Sequence, residues 1–360
     1  MTNSITRFSS WKQSTAPRSI VSRALSRRQF LGVSGAGVLA LPVLTELPFA
    51  TPASAKPAGV HLRFGVGSAI AYTPIYVAKD KGFYEEEGLD VEFLWAQAAP
   101  EAVQAIIGGS AEGGVGGSFG LIAAVEKGAP VITVAIYAHG GDRIALAVRT
   151  DSGIATLKDL YGKKVGFQSG AIGQQMFQTM CQVEKLDTSK IDTAFVNTVD
   201  MAAAVAAKSL DAIAAWEPMP SLLEAKGLVK ILQRGGKYLQ SPGCVIFGTE
   251  YMKRNHDVVS RFVTAHCRAC QFTRKNPQEA SVINARYVKG SVPKVLQDTY
   301  QYLVFDPRVT QQMHAELQAD MRFMLAQKKI SRLVDKAVIA TSTVTDEIEK
   351  AFPDLLRDLR

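Results

Sequence analysis

Cysteine is scarce in this chain of 360 residues, which contains four: Cys181, Cys244, Cys267 and Cys270. At this length four thiols make no obvious disulfide framework. Cys267 and Cys270 have the CxxC spacing of redox and metal sites, but the helical pattern around them has no active-site turn. No second ligand pair occurs at zinc spacing. The sequence therefore favours packed or surface thiols, and we expect no metal.

A large excess of either positive or negative charge is also lacking once the first 55 residues are set aside. The whole chain has a formal net charge of +8, and residues 1–55 contain six basic residues against one acidic residue, Glu46. Removing this net +5 leaves +3 for the remaining residues. A domain so close to neutrality gives no reason to expect nucleic acid as a partner.

Several signatures of enzymes are missing. The chain has no HExxH zinc motif, no Walker A loop and no complete dinucleotide fingerprint. These absences argue against a metalloprotease, a P-loop nucleotide hydrolase and a dinucleotide-dependent oxidoreductase. We expect no cofactor.

The apolar run from Phe30 to Leu44 has about 15 residues, which is short for crossing a bilayer. It follows Ser26-Arg27-Arg28-Gln29, which is close to the twin-arginine export pattern. Ala53-Ser54-Ala55 then offers a cleavage site with small residues. We therefore expect residues 1–55 to be a Tat-type signal peptide. The mature chain, beginning near Lys56, would lie in the periplasm.

The rest of the chain alternates short strand patterns with helical patterns. Leu62, Phe64 and Val66 alternate as in a half-buried strand, and the apolar run Val131–Tyr137 predicts a strand buried on both faces. Such alternation predicts parallel sheets. The pattern restarts after the turn at Asp151-Ser152-Gly153. We therefore predict two α/β units in series.

The stretch from Tyr72 to Phe93 reads YTPIYVAKDKGFYEEEGLDVEF. It predicts a helix with Thr73 as its cap and Pro74 in its first turn, ended by Gly82. The spacing of these residues resembles the opening of ABC-transporter substrate-binding proteins of the nitrate/taurine/aliphatic-sulfonate class. That class is similar in turn to proteins that bind pyrimidine precursors of thiamine. The stretches Asp151–Gly166 and Ser209–Pro218 also resemble this class.

The resemblance implies a bilobed type II periplasmic-binding-protein fold, with two α/β domains joined by a two-strand hinge. We expect residues 56–148 to form the first part of lobe I and residues 149–243 to form lobe II. Residues 244–360 would complete lobe I and add C-terminal helices. The resemblance further implies a non-catalytic, monomeric protein that takes a small-molecule ligand to the membrane permease subunits of an ABC importer.

Ligands of open α/β sheets bind beyond the carboxyl ends of the strands. Three of the loops there lead directly into helices, whose N-terminal N–H groups bind oxyanions. Together with the resemblance, this placement yields the following candidate ligand-binding residues: Tyr72, Thr73, Gly117, Ser118, Phe119, His139, Ser169, Gly170, Gly173, Trp216 and Glu217.

Each polar or aromatic candidate also has an ordinary structural interpretation. Trp216 and Tyr72 could cover a small ligand or simply pack. Glu217 would repel a simple anion, but it could pair with an amine or a ring nitrogen, or make a cap or interlobe hydrogen bond. For Arg143 we prefer a salt bridge between lobes to an anion contact, and for His139 a solvated loop position to a ligand contact.

The expected ligand is a small organosulfonate or similar organic anion, with a thiamine-type pyrimidine or other heteroaromatic as the alternative. An enzyme remains an alternative because Gly116-Gly117-Ser118-Phe119-Gly120 matches the nucleophile elbow of serine hydrolases. The later histidines, His256, His266 and His314, fall in helical patterns, so we prefer Ser118 as a helix cap. Some relatives of the pyrimidine binders make the pyrimidine, but export argues against biosynthesis here.

Overall fold

The computed structural model describes residues 59–97, 99–240 and 242–359. The predicted signal peptide, residues 1–55, lies outside the described residues. Within these ranges ten strands form two five-stranded sheets. The strands are β1 (Val60–Val66), β2 (Leu89–Trp95), β3 (Gly113–Gly117), β4 (Val131–Ala138), β5 (Ile144–Arg149), β6 (Lys164–Phe167), β7 (Asp192–Phe195), β8 (Ala212–Trp216), β9 (Val229–Arg234) and β10 (Gly243–Gly248).

Helices cover the sheets. They are α1 (Thr73–Asp80), α2 (Phe83–Glu86), α3 (Ala99–Ile107), α4 (Ser118–Glu126), α5 (Ile172–Val183), α6 (Thr198–Ala206), α7 (Met219–Ala225), α8 (Thr249–Arg254), α9 (His256–Lys275), α10 (Pro277–Tyr287), α11 (Pro293–Thr299), α12 (Gln311–Ala326), α13 (Lys336–Ile339) and α14 (Thr343–Ala351). None of the described helices is both long and apolar enough to cross a membrane.

The two sheets have the same topology. Their strand orders are β2-β1-β3-β10-β4 and β7-β6-β8-β5-β9. In each sheet four strands are parallel, as predicted, and one is antiparallel: β10 in the first sheet and β5 in the second. We call the first sheet with its helices lobe I and the second sheet with its helices lobe II. In each lobe the antiparallel strand is the one that the chain forms directly after it crosses from the other lobe.

Lobe I has apolar side chains on both faces of its sheet, because successive residues of a strand point to opposite faces. On one face Phe64 and Phe247 pack with Phe262 of α9, with ring centroids 4.7 Å apart for Phe64–Phe262 and 5.4 Å apart for Phe247–Phe262. On the other face Ile246 packs with Leu317 of α12. Burial of each such side chain contributes about 1.5–3 kcal/mol. Helices α9 and α12, which follow β10, therefore pack on lobe I, whereas α11 also contacts α7 of lobe II.

Lobe II is built in the same way with fewer helices. Leu146 and Val165 face α5 on one side of the sheet. Ala147 and Ile213 face α6 and α7 on the other side. All four side chains are fully buried, so alternate residues of adjacent strands supply two separate cores.

The crossing strands differ from the sequence-based expectation. The chain enters the second sheet at Ile144 and runs in it to Arg149, whereas the expected boundary places residues up to 148 in lobe I. The strand Val229–Arg234 was not predicted, because only Val229 in it is buried and its alternation is weak. Two segments, residues 139–143 and 235–242, connect the lobes.

Candidate ligand-binding cleft

A cleft with about 600 Å³ of empty volume lies between the lobes. Both sheets direct the carboxyl ends of their parallel strands towards it, which is the usual ligand position in open α/β sheets. It is lined by Ala69, Ala71, Tyr72, Pro100, Val103, Gly117, Phe119, Gly120, Tyr137, Arg143, Gly170, Ala171, Ile172, Gln175 and Trp216.

Three helices begin at the cleft, two in lobe I and one in lobe II. The residues that precede their first turns are Tyr72 for α1, Gly117 for α4 and Ala171 for α5, and all three line the cleft. None of these three residues caps its helix with a side-chain hydrogen bond. The positive ends of three helix dipoles therefore lie at one space, an arrangement that favours an anion. At α1 the Thr73 N–H already donates to the Ile70 carbonyl and Pro74 has no N–H, so this helix contributes its dipole rather than free donors.

Arg143 supplies the formal charge of the cleft. It lies just before β5 and is 4% exposed, and it carries the single formal charge among the described residues that line the cleft. Burial raises the pKa of the Tyr137 hydroxyl, and the nearby Arg143 charge opposes that rise. A buried guanidinium between the lobes can make charge-assisted hydrogen bonds to an oxyanion.

Aromatic side chains form the apolar part of the wall. The rings of Tyr72 and Tyr137 meet edge to face, with centroids 4.9 Å apart. Trp216, at the end of β8, packs against the cores of both lobes. Phe119 lies in the first turn of α4. These rings can cover the organic part of a ligand while leaving its charged group to Arg143 and the helix ends.

Five of the candidate residues line the cleft: Tyr72, Gly117, Phe119, Gly170 and Trp216. The other six do not: Thr73, Ser118, His139, Ser169, Gly173 and Glu217. Gly173 lies in α5 against the backbone of Ala214, where a side chain would collide with the β8 carbonyl. Its absence of a side chain thus serves helix–sheet packing. Ser169 is exposed at the end of the loop after β6.

The prediction that Thr73 and Ser118 cap their helices is wrong. Thr73 is the first residue of α1, and its hydroxyl donates to the Ile70 carbonyl at 2.6 Å. Ser118 is the first residue of α4, and its hydroxyl donates to Asp320 Oδ2 at 2.5 Å. The Ser118 hydroxyl therefore meets a carboxyl group, whereas a nucleophile elbow requires a histidine base.

His139 pairs with the C-terminal region through its backbone. Its N–H donates to the Val304 carbonyl at 3.0 Å, and its carbonyl accepts from Val304 N at 2.9 Å. Burial lowers the pKa of its imidazole. The side chain is outside the cleft lining, so its main described role is to tie the first crossing segment to residues near 304.

Glu217 is fully buried beside the cleft but takes part in a hydrogen-bond network of its own. Its carboxylate accepts from Arg234 Nη1 at 2.9 Å and from the Ser221 hydroxyl at 2.8 Å. Its backbone N–H donates to the Arg143 carbonyl at 2.8 Å. Burial raises the pKa of this carboxyl, while Arg234 and Ser221 oppose the rise. The sequence allowed Glu217 either a ligand contact or a structural hydrogen bond, and this geometry matches the structural hydrogen bond.

Sequence reasoning missed several residues of the cleft. Tyr137 lies at the end of β4, where the long apolar run favoured a purely structural strand. Ile172 and Gln175 lie in the first turn of α5, next to the candidates Gly170 and Gly173. Pro100 and Val103 belong to α3, which had no glycine-rich turn to draw attention to it. The signal that could have found them is that β4 ends at Ala138, next to Tyr137, and that α3 and α5 each follow the carboxyl end of a parallel strand.

The CxxC pair is in the core. Cys267 and Cys270 are both fully buried in α9. Burial raises the pKa of the Cys267 thiol to about 12, so it is neutral at ordinary pH. The described part of the chain contains no group of three or more His, Cys, Asp or Glu residues placed to hold a metal ion.

The fold has two α/β lobes with a cleft between them, and each sheet contains one antiparallel strand that follows a crossing of the chain. This architecture defines the class of periplasmic binding proteins. The alkanesulfonate-binding protein SsuA of Xanthomonas axonopodis pv. citri, solved with bound MOPS, is 22% identical and superposes with a TM-score of 0.70, covering 80% of this chain and 99% of that one. The aliphatic sulphonate binding protein SsuA of Escherichia coli is 21% identical, with a TM-score of 0.68 and coverage of 77% and 96%. The nitrate-binding protein NrtA of Synechocystis PCC 6803 is 16% identical, with a TM-score of 0.70 and coverage of 82% and 91%.

The chain belongs to the NMT1/THI5 like family, whose sequence model matches residues 69–280. The family match confirms the predicted relationship to this class, and the neighbours named for sulfonates and nitrate share its fold. They also confirm the predicted bilobed fold. The three neighbours are named as binding proteins, in agreement with the prediction of a non-catalytic protein.

Proposed function

We propose that this protein binds a small organic anion, most favourably a sulfonate, in the interlobe cleft and delivers it to the permease subunits of an ABC importer. One observation carries the proposal: three helix N-termini and the guanidinium of Arg143 converge on a single cleft. The relatives named for sulfonates and nitrate support the same class of ligand.

A sulfonate suits this arrangement for two reasons. Its three oxygens can accept hydrogen bonds from several helix N-termini and from Arg143 at once, and hydrogen bonds to charged groups contribute about 1.5–3 kcal/mol each. Its organic part needs an apolar surface, which Tyr72, Tyr137 and Trp216 provide. Nitrate satisfies the first requirement and makes no use of the second.

A heteroaromatic ligand such as a thiamine-type pyrimidine is the second candidate. The four aromatic side chains in the lining, Tyr72, Phe119, Tyr137 and Trp216, favour it because aromatic rings stack on one another. The pyrimidine itself is uncharged, so it leaves the buried Arg143 charge without an anionic group of the ligand.

A thermal-shift screen of the purified protein tests the proposal. A ligand present at 100 times its dissociation constant raises the free energy of unfolding by about 2.7 kcal/mol. We expect stabilisation by short alkanesulfonates and little by pyrimidines or uncharged sulfonamides of the same size. Stabilisation by pyrimidines alone would replace the sulfonate assignment with the second candidate.

Delivery to a permease requires that the ligand change the outer surface of the protein. The two crossing segments, residues 139–143 and 235–242, are the positions at which bending closes one lobe on the other. We expect a monomer that becomes more compact when an alkanesulfonate binds. Small-angle scattering with and without the ligand measures this change, and an unchanged radius of gyration argues against closure.

Export to the periplasm is part of the proposal. The periplasmic location of the E. coli sulphonate-binding relative supports it, and Arg27-Arg28 with the apolar run behind them supports the Tat route. A reporter fused to residues 1–55 is expected to lose export after Arg27→Lys with Arg28→Lys. Continued export of that double variant would point to the Sec route.

A further inference from the structure

A second cavity, with about 510 Å³ of empty volume, lies at the boundary between the lobes, beside the ligand-binding cleft. Its wall comes from α12 in lobe I, from α5 in lobe II and from the crossing segment that follows β9. Phe119 and Gln175 line both this cavity and the cleft. Nearby, Gln327 at the end of α12 donates to Gln182 of α5 at 3.0 Å. A movement of one lobe against the other therefore changes how much water reaches the cavity.

The carboxyl group of Asp320, on α12, lines this cavity and is 9% exposed. Its Oδ2 accepts from the Ser118 hydroxyl at 2.5 Å, and no described residue donates to its Oδ1. Glu316 lies one helical turn earlier on the same face of α12. Burial raises the pKa of Asp320 to about 7, Ser118 opposes the rise and Glu316 adds to it. Near neutral pH this carboxyl group therefore exchanges a proton readily.

The surroundings of Asp320 are polar but not basic, since no described Lys, Arg or His lines the cavity. The groups near it on other elements are Ser118 of α4, Cys244 of β10, Gln175 and Thr179 of α5, and Tyr238 and Gln240 of the crossing segment. Glu126, the acid of α4, lies at the opposite end of that helix. Lys336 of α13 acts on His314, near the start of α12. Burial and Glu316 therefore govern the proton of Asp320.

Asp320 lies within electrostatic range of the residue that supplies the positive charge of the cleft. Burial raises the pKa of the Cys244 thiol to about 12, Asp320 adds to this rise, and Arg143 opposes it. One thiol thus senses both charges. A charge that enters the cleft beside Arg143 consequently acts on Asp320 as well.

The N-terminus of α4 brings the cleft and Asp320 together. Ser118 is the first residue of α4, and its neighbours Gly117 and Phe119 both line the cleft. An anion bound at this helix end would lie close to the carboxyl group that holds the Ser118 hydroxyl. A like charge nearby raises the pKa of a carboxyl group, and so does the loss of water when the lobes close. Both effects favour protonated Asp320 in the liganded protein.

We propose that binding of the organic anion in the cleft is coupled to uptake of a proton by the Asp320 carboxyl group, so that affinity falls as the pH rises. This inference rests on the proposed function. The proton binds Oδ1, while Oδ2 keeps its hydrogen bond from Ser118. At pH values below the pKa of Asp320 in the ligand-free protein, affinity is independent of pH. Above it, each pH unit lowers the affinity by up to about tenfold, until the pKa of the liganded protein is reached.

Calorimetry with ethane-, propane- and butanesulfonate tests the proposal. These sulfonates stay ionised at all the pH values used, so that any titration belongs to the protein. At about pH 7.5, the heat of binding in buffers of different ionisation enthalpy gives the number of protons taken up, and we expect up to about one per ligand. Affinity should be flat at acidic pH and fall on the alkaline side. Burial lowers the pKa of His139 from its ordinary value of 6.5, so its own titration lies below this range.

Asp320→Asn should take up no proton and should keep at alkaline pH the affinity that the unchanged protein has at acidic pH. Asparagine stays neutral and retains an oxygen for the Ser118 hydroxyl. Glu316→Gln removes a charge that raises the pKa of Asp320, so the fall in affinity should begin at a lower pH. This second variant keeps the test usable if Asp320→Asn fails to fold. Asp192→Asn, at an exposed carboxylate of β7, is the matched control and should behave like the unchanged protein.

Three outcomes would overturn the inference. If the alkanesulfonates bind without proton uptake, the coupling is absent while the proposed function stands. If Asp320→Asn takes up as much proton as the unchanged protein, another group is responsible. If no sulfonate binds at any pH, the proposed function fails and the coupling fails with it.

Discussion

Two arginines beside the crossing between the lobes, the buried Arg143 and the half-buried Arg234, have different roles. Arg143 precedes β5, and Arg234 ends β9, the neighbouring strand in the lobe II sheet. Arg143 lines the ligand-binding cleft. Arg234 donates to Glu217 at 2.9 Å and to the Asp142 carbonyl at 2.8 Å, and its guanidinium lies over the Tyr302 ring at 3.5 Å.

Glu217 separates the two roles. Its carboxylate pairs with Arg234, while its backbone N–H bonds the carbonyl of Arg143. The buried acid therefore neutralises one guanidinium and positions the backbone of the other. We infer that Arg143 serves ligand binding. Arg234 serves the fold, because its contact with Tyr302 links lobe II to the C-terminal region.

The largest expected effect is on stability, from Arg234→Met. Breaking a buried ion pair on one side leaves an uncompensated charge and costs about 3–5 kcal/mol. Urea denaturation of the variant should show this loss in the free energy of unfolding. The double variant Arg234→Met with Glu217→Gln, which removes both charges, should recover much of it. A single variant as stable as the unchanged protein would show that the pair contributes little.

The next effect is on binding, from Arg143→Met. Loss of a charged hydrogen-bond donor is expected to weaken alkanesulfonate affinity by about 10- to 100-fold, equivalent to about 1.4–2.7 kcal/mol. Calorimetry measures it, and a thermal midpoint without ligand checks that the variant folds. Arg234→Met should weaken binding much less. Equal losses in the two variants would remove the distinction between the two arginines.

A smaller expected effect is that the loss in the free energy of unfolding caused by Arg234→Met depends on pH. The folded-state pKa of Glu217 is raised above its unfolded value by burial, and losing Arg234 raises it further. The folded state then binds more protons, so the free energy of unfolding falls as pH rises through this window. We expect Arg234→Met to lose more free energy of unfolding at pH 8 than at pH 5. The difference is about 1.4 kcal/mol for each unit by which the variant raises the pKa of Glu217. The deficit should be independent of pH when Glu217 is glutamine.

The smallest effect concerns fluorescence. Trp216 lines the cleft and packs against both lobe cores, whereas Trp95 is 55% exposed on β2. A ligand-dependent change in tryptophan emission should therefore persist in Trp95→Phe and largely disappear in Trp216→Phe. The opposite result would place the conformational change away from the crossing.

Local patterns predicted much of the fold. Gly82 and Gly88 adopt the left-handed backbone conformation, with φ of 73° and 70°, which suits the predicted ends of the helical segments between Tyr72 and Phe93. The alternation of Leu62, Phe64 and Val66 was enough to predict β1, since all three are fully buried. Such features depend on residues close together in the chain. The motif stretch from Tyr72 to Phe93 likewise pointed to the family without any tertiary information.

Only the tertiary structure decided which charges meet. The sequence left Glu217 with either a ligand contact or a hydrogen-bonding role, and it favoured an interlobe salt bridge for Arg143. The partner of Glu217 lies 17 residues away in Arg234, on a strand that the sequence did not reveal. The partner of Ser118 lies 202 residues away in Asp320.

The sequence by itself thus determined the class of protein, the two α/β units and the strand ends that border the candidate cleft, because these follow from local periodicity, glycine conformation and motif spacing. The insertion of β5 and β10, the pairing of Glu217 with Arg234 and the pairing of Ser118 with Asp320 depended on the tertiary structure. Burial sets the free energy of a charge, and burial is a property of the packed lobes rather than of any short stretch of chain.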